Sequence, residues 1–180
     1  ERAVTPRTKA MLVNSPHNRF GRVGVRVHPV DHPAFAREVE TLVARAGARL
    51  AYVMVPKPRG LADVQRARAE IDHELRVHGG PAIPVHALIE THGALQDVQA
   101  IAAHPRIESL SFGLMDFVSA HRGAIPQAGM SASGQFEHPL VLRAKLEISA
   151  ACHAHNKTPA HCVVTEFRKL DLLQAAATKA

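Results

Sequence analysis

The sequence predicts an α/β fold built on a parallel sheet of the (β/α)8 barrel kind, and three observations predict it. Short β-rich runs alternate with longer amphipathic runs along the chain. The strand candidates are continuous apolar runs, the pattern of strands buried on both faces by flanking helices. No G-x-G-x-x-G follows the first strand candidate, which leaves a dinucleotide-binding sheet without support.

Val23–Val27 reads as a strand, ended by His28-Pro29. Pro33 suits a first helical turn, Phe35, Val39, Leu42 and Val43 recur at helical spacing, and Gly47 closes that helix. Leu50–Val55 is the second strand, stopped by Pro56-Lys57-Pro58. A helix is expected from Leu61 to His78, ended by Gly79-Gly80. Then come a strand Ile83–Ile89, a helix Ala94–Ala103 and a strand Ile107–Phe112. Gly123–Gly134 reads as a loop, Pro139–His155 as a helix, His161–Glu166 as the fifth strand and Leu170–Ala177 as the last helix. A (β/α)8 barrel typically needs about 250 residues. A chain of 180 residues with five strands therefore fits a barrel with about three strands outside it, and a smaller open sheet is the alternative. Glu1 is not an initiator, so the numbering is expected to start inside a longer product. With no internal repeat and no linker, residues 1–180 are expected to form a single domain.

Composition excludes several classes. Apolar residues are 46% and charged residues 21%, which is globular rather than disordered. The 22 Lys+Arg against 16 Asp+Glu leave +6, but the excess is spread along the chain and aromatics are only 4%, so nucleic acid is not the expected partner. A basic surface suits an anionic metabolite instead. Two cysteines make no disulfide scaffold, and no apolar run approaches a membrane span. No signal segment opens the chain, so a cytoplasmic location is expected.

In parallel α/β folds the site lies at the carboxyl ends of the strands. Those ends carry Arg26, Lys57, Glu90 and Asp116. Glu90 directly follows an apolar strand, where desolvating a carboxylate is costly without a partner. One partner is a metal: two carboxylates plus waters and substrate oxygens suit Mg²⁺. The other is an ion pair of Glu90 with Lys57 or Arg26. The spacing leaves both open.

Several segments carry a resemblance. Ala87–Leu95, with Ile89-Glu90-Thr91 at its centre, resembles the "IET" segment of the HpcH/HpaI aldolase and citrate lyase β-subunit family. Ser111–Phe117 resembles its "FGAEDL" segment, and Glu90 and Asp116 lie 26 positions apart, which fits. Val25–Pro29 is similar to "VRVNP", Met54–Lys57 to "LPK", Val163–Arg168 to the late "V-x-L-D-F-x-D" strand, and Glu1–Pro6 to the tail of "LEDAV-x-P". The resemblance covers nearly the whole chain.

The resemblance implies a TIM barrel assembling as a trimer or larger. It implies Mg²⁺ held by Glu90 and Asp116, Arg26 on carboxyl or enolate oxygens, and backbone N–H groups of Gly113 and Leu114 on a substrate carboxylate. It implies a Mg²⁺-dependent carbon–carbon lyase acting on malyl-, citramalyl- or citryl-CoA or a related hydroxy acid. Three departures stand out. Met115 replaces the family's Glu, Glu1-Arg2 replaces its "LED" acids, and its final strand and C-terminal lid would lie beyond Ala180. They keep alive a non-catalytic relative that binds an acid or acyl-CoA, and they leave the general acid/base unassigned.

Other residues are read as structural. His153, His155 and His161 make no metal site, and Cys162 is a buried thiol rather than a nucleophile paired with His161. His92 is a capping or exposed His before it is a proton shuttle. Met54 and Met115 are packing residues, and Glu166 with Arg168 is expected to pair across the rim.

Overall fold

The computed structural model describes residues 23–166 and 168–180. The segment Glu1–Pro6 and Phe167 lie outside the described residues.

Each helix forms because one face has core to cover. Helix α1 (Phe35–Ala46) buries Phe35, Val39 and Val43, which recur every four residues. Helix α2 (Leu61–His78) buries Val64, Ala67 and Ile71. Helix α6 (Pro139–Ala154) starts on a proline, whose missing N–H is not needed in a first turn, and buries Val141, Ala144, Ile148, Ala151 and Cys152. The strands are β1 (Val23–Arg26), β2 (Leu50–Val55), β3 (Val85–Ile89), β4 (Ile107–Phe112) and β5 (Thr158–Ala160). They form one parallel sheet in the order β1-β2-β3-β4-β5.

Sequential strand order has a geometric consequence. Right-handed crossovers repeated in one direction put every helix on the same face. Alternation then sends Val53, Val55, Ala87, Ile89, Leu110 and Phe112 toward the helices, where they join the buried core. The opposite face carries Gly24, Arg26, Tyr52, Met54, His86, Leu88, Ser109 and Ser111. This is the arrangement of consecutive strands in a (β/α)8 barrel, whose inner face is the helix-free one.

Several boundaries differ from expectation. The fifth strand lies at Thr158–Ala160, not His161–Glu166. Past Ala160 the chain is held by side chains instead of a ladder: His161 meets Lys145 (2.9 Å) and the Cys162 thiol donates to Gln135 Oε1 (2.9 Å). The expected helix Ala94–Ala103 is split into α3 (His92–Gln96) and α4 (Val98–Ala103) at Asp97, whose Oδ2 accepts the Leu61 N–H at the start of α2 (2.8 Å). Leu114–Ala120 forms α5, a helix that short-range periodicity did not show, and the expected loop holds the 3-10 turn Gln127–Met130. The last helix, α7, runs Leu170–Lys179. No helix among the described residues is long and apolar enough to cross a membrane.

Because Ile71 is fully buried, Ile71→Ala is expected to destabilise the fold by about 2–5 kcal/mol in urea titration. Val77→Ala on the exposed side of the same helix should change stability by less than about 0.5 kcal/mol.

Candidate functional site

The carboxyl ends of β1 to β4 meet on one rim. Glu90 follows Ile89 at the end of β3 and is 4% exposed. Its Oε1 accepts the backbone N–H of Lys57 from the loop after β2 (2.8 Å). Lys57 holds φ +50°, an uncommon conformation for a residue with a side chain, and this is the turn that aims its N–H at Glu90. Thr91 stitches the same two loops together. Its hydroxyl donates to the Pro58 carbonyl (2.6 Å) and accepts the Ala94 N–H (3.1 Å), capping α3.

Asp116 stands in the first turn of α5 and accepts from the Lys57 ammonium at 2.8 Å. That hydrogen bond holds the Lys57 ammonium charged to higher pH than usual, against the opposing effect of partial burial. Arg26 opposes it too, which places a third charge on the rim. Lys57 therefore serves both acids, with its ammonium on Asp116 and its backbone on Glu90. Neither anticipated ion pair of Glu90 is the one formed: among the described residues the close Lys57 pair is with Asp116, and no ion pair to Arg26 is present.

Glu90 is an acid in a place that resists ionisation. Burial, the nearby Asp116 charge and a hydrogen-bonding contact with Asp116 push its carboxyl up from the ordinary 4.5 to about 7, although the Lys57 N–H pulls the other way. Gly113 lets the carboxyl reach this position. A Cβ at Gly113 would overlap Glu90 Oε2 and Cβ. The Gly113 N–H is spent on the Ile89 carbonyl (2.9 Å), so the backbone donors left at this turn are the first N–H groups of α5, that of Leu114 among them.

Arg26, Glu90, Gly113, Leu114 and Asp116 all line one cavity of about 270 Å³. Met54 forms buried wall there, but Met115 is 46% exposed at the mouth, so it is a rim residue and not the packing residue expected. Among the described residues no three His, Cys, Asp or Glu gather as a metal cage. The Cys162 thiol is kept neutral by burial, so it is no ready nucleophile. Glu166 is tied to the Ala132 N–H (3.1 Å) and the Thr165 hydroxyl (2.9 Å). His92 is exposed at the start of α3, with its ring against Phe117 and His121.

The wall below the rim holds a feature that sequence reading passed over. His86 on β3 is flanked by Ser109 and Ser111 of β4, at 2.6 and 2.7 Å. The signal was available as polar residues at every second position of β4, facing a His on the same side of β3.

A family model described as HpcH/HpaI aldolase/citrate lyase matches residues 8–180. An L-malyl-CoA/beta-methylmalyl-CoA lyase of Cereibacter sphaeroides is 32% identical over 100 residues, covering 54% of this chain and 31% of that protein. A citrate lyase structure from Burkholderia xenovorans LB400 superposes with a TM-score of 0.87 and 50% identity, covering 94% of this chain and 53% of the other. A citrate lyase beta subunit from M. tuberculosis, solved with oxaloacetate and magnesium, gives a TM-score of 0.67 at 22% identity, covering 87% of this chain and 61% of the other. The chain thus spans from about a third to about three fifths of the length of these relatives.

Glu90's raised pKa fixes the sign of a pH effect. Its neutral form suits the fold, so the stability it allows is full below pH 4.5 and is lost as pH rises through about 7. Glu90→Gln keeps a neutral group. With a chelator present, the variant is expected to melt above wild type at pH 8, the gap closing near pH 4.5. A wild-type advantage at pH 8 would contradict the placement of Glu90. Gly113→Ala should displace the Glu90 side chain and lower the melting temperature at both pH values.

Proposed function

We propose that this chain, which belongs to the HpcH/HpaI aldolase/citrate lyase family, is part of a Mg²⁺-dependent carbon–carbon lyase acting on a hydroxy-acyl-CoA ester or related hydroxy acid. Malyl-, citramalyl- and citryl-CoA are the candidate substrates. The observation that carries the reading is the buried Glu90 carboxyl beside Asp116, on the cavity that Arg26 also lines. Relatives named malyl-CoA lyase and citrate lyase support it.

The donor set fits Mg²⁺. A hard cation that keeps several waters needs only one or two carboxylates from the protein. Two acids that raise each other's cost of ionisation are relieved by a cation between them. When bound, Mg²⁺ supplies Lewis-acid polarisation of a substrate oxygen. Lys57 positions both ligands, Glu90 through its N–H and Asp116 through its ammonium. The Leu114 N–H, at the Gly113 turn, is placed for a substrate carboxylate. In the cleavage the substrate hydroxyl passes its proton to a base, its oxygen becomes the carbonyl of the departing acid as the C–C bond breaks, and the electron pair of that bond passes to the thioester fragment as an enolate, which a proton then quenches. Arg26 holds the oxygen on which that charge develops, where a preorganised donor stabilises the transition state most. The single domain 1–180, the trimeric or larger assembly and the cytoplasmic setting belong to the same proposal. Apolar surface at Leu146 of α6 and at Leu170 and Leu173 of α7 supports the assembly.

The test is to assay the chain with malyl-CoA, citramalyl-CoA, citryl-CoA and the free hydroxy acids, with and without Mg²⁺. Cleavage is expected only with Mg²⁺. Asp116→Asn should lose Mg²⁺ affinity by calorimetry together with activity, and undiminished affinity would remove Asp116 as a ligand. Arg26→Lys should lower kcat and kcat/KM together by about 10²–10³, since a point charge does not copy the guanidinium fork. Acids that bind with Mg²⁺ while no ester is cleaved would favour the non-catalytic binder, the reading that Met115 at the mouth keeps open.

A further inference from the structure

The cavity wall below Glu90 is polar in a way the rim chemistry does not use. On the inner face of β3 and β4 the side chains descend in rungs. Glu90 lies beside Gly113, Leu88 is paired with Ser111, and His86 with Ser109. His86 is 4% exposed, and both ring nitrogens are engaged, Nδ1 with Ser109 Oγ at 2.6 Å and Nε2 with Ser111 Oγ at 2.7 Å. Tyr52 stacks on the same ring, 5.2 Å between centroids. Burial lowers the His86 pKa to about 4, so the imidazole is neutral near pH 7, with one nitrogen donating and the other accepting.

A neutral imidazole between two hydroxyls makes a hydrogen-bond chain with one direction. In one state Ser109 donates to Nδ1, Nε2–H donates to Ser111, and the Ser111 O–H is left to donate onward. In the other state the chain reverses and Ser111 keeps lone pairs to accept. In either state Ser111 retains hydrogen-bonding capacity, and among the described residues only His86 uses its hydroxyl. Ser111 also lines the cavity, with Leu88 and Met54 as apolar neighbours.

We propose that Ser111, oriented by His86, is a specificity residue: it hydrogen-bonds an oxygen substituent at the deep end of a small acid held at the Glu90–Asp116 rim, and so selects oxygen-bearing acids over alkyl ones. The inference rests on the reading that an acid binds at that rim. Its scale fits, because one rung is two residues, about 6.6 Å along a strand, the length of a three- or four-carbon acid. An alkyl end would meet the Ser111 hydroxyl without satisfying it, and that asymmetry is what makes a polar site discriminate.

The test uses two isosteric keto acids, 3-hydroxypyruvate and 2-oxobutyrate, which exchange hydroxyl for methyl. Each is titrated calorimetrically into the chain in Mg²⁺ buffer. Wild type is expected to bind 3-hydroxypyruvate about tenfold more tightly, the scale of one hydrogen bond. Ser111→Ala should erase the preference by weakening 3-hydroxypyruvate alone, and Ser111→Thr should keep it. If Ser111→Ala is too unstable to titrate, Ser111→Cys, with similar volume and a weak donor, should lose the preference as well. In ¹⁵N spectra 3-hydroxypyruvate should pin His86 to one tautomer in wild type and Ser111→Thr, whereas 2-oxobutyrate should not. Equal wild-type affinities, a preference that survives in Ser111→Ala, or no binding of either acid to wild type would each overturn the proposal. A chain that holds 3-hydroxypyruvate through Ser111 yet cleaves no ester would keep this assignment and overturn the lyase reading instead.

Discussion

A carboxyl group placed at the end of a buried parallel strand is the constraint on which the rest of the rim depends. Glu90 is carried to the rim by β3, whose residues are flanked by strands on both sides and helices on one. It is almost wholly buried there, and the surrounding chain is shaped to tolerate it. Gly113 gives up its side chain for it, and Lys57 takes a left-handed turn to offer it an N–H. Thr91 binds the Pro58 carbonyl and keeps the two loops in register. The lysine that supports Glu90 through its backbone supports Asp116 through its ammonium, so the two acids are positioned by one residue.

The same constraint explains why the rim is poised rather than satisfied. An isolated buried carboxylate would either be matched by a full ion pair or protonate. Here the nearby lysine charge is directed to the more exposed Asp116, and Glu90 is left to resist ionisation. In the proposed reading, a cation shared by both acids would remove that resistance. Arg26, at the end of β1 two strands away from β3, lines the same cavity without an ion pair of its own among the described residues, and is thus available to an anion.

Below the rim the inner face departs from an apolar barrel filling. Tyr52, His86, Ser109 and Ser111 form a polar layer that is buried and paired, while the helix-facing side of the same strands is Val, Ile, Leu, Ala and Phe. The two faces answer different demands. The helix side stabilises by excluding water, whereas the inner side lines the cavity with Arg26, His86, Glu90 and Ser111. Strands read only for hydrophobicity merge the two.

The residues alone determined the alternating β-α order, the parallel sheet and the gathering of Arg26, Lys57, Glu90 and Asp116 at strand ends, because buried strands need apolar runs and because successive strands of a parallel sheet end on one rim. The glutamate and aspartate segments also carried the family. Tertiary structure decided what local pattern does not encode. Pro159 and the side-chain contacts of His161 and Cys162 moved the fifth strand to Thr158–Ala160, since an edge segment pairs wherever its neighbour's open backbone lies. Asp97 broke a helix by bonding to α2, 36 residues away in sequence. Lys57 chose Asp116 over Glu90, and His86 found Ser109 and Ser111, because partners across strands are set by register and not by spacing along the chain.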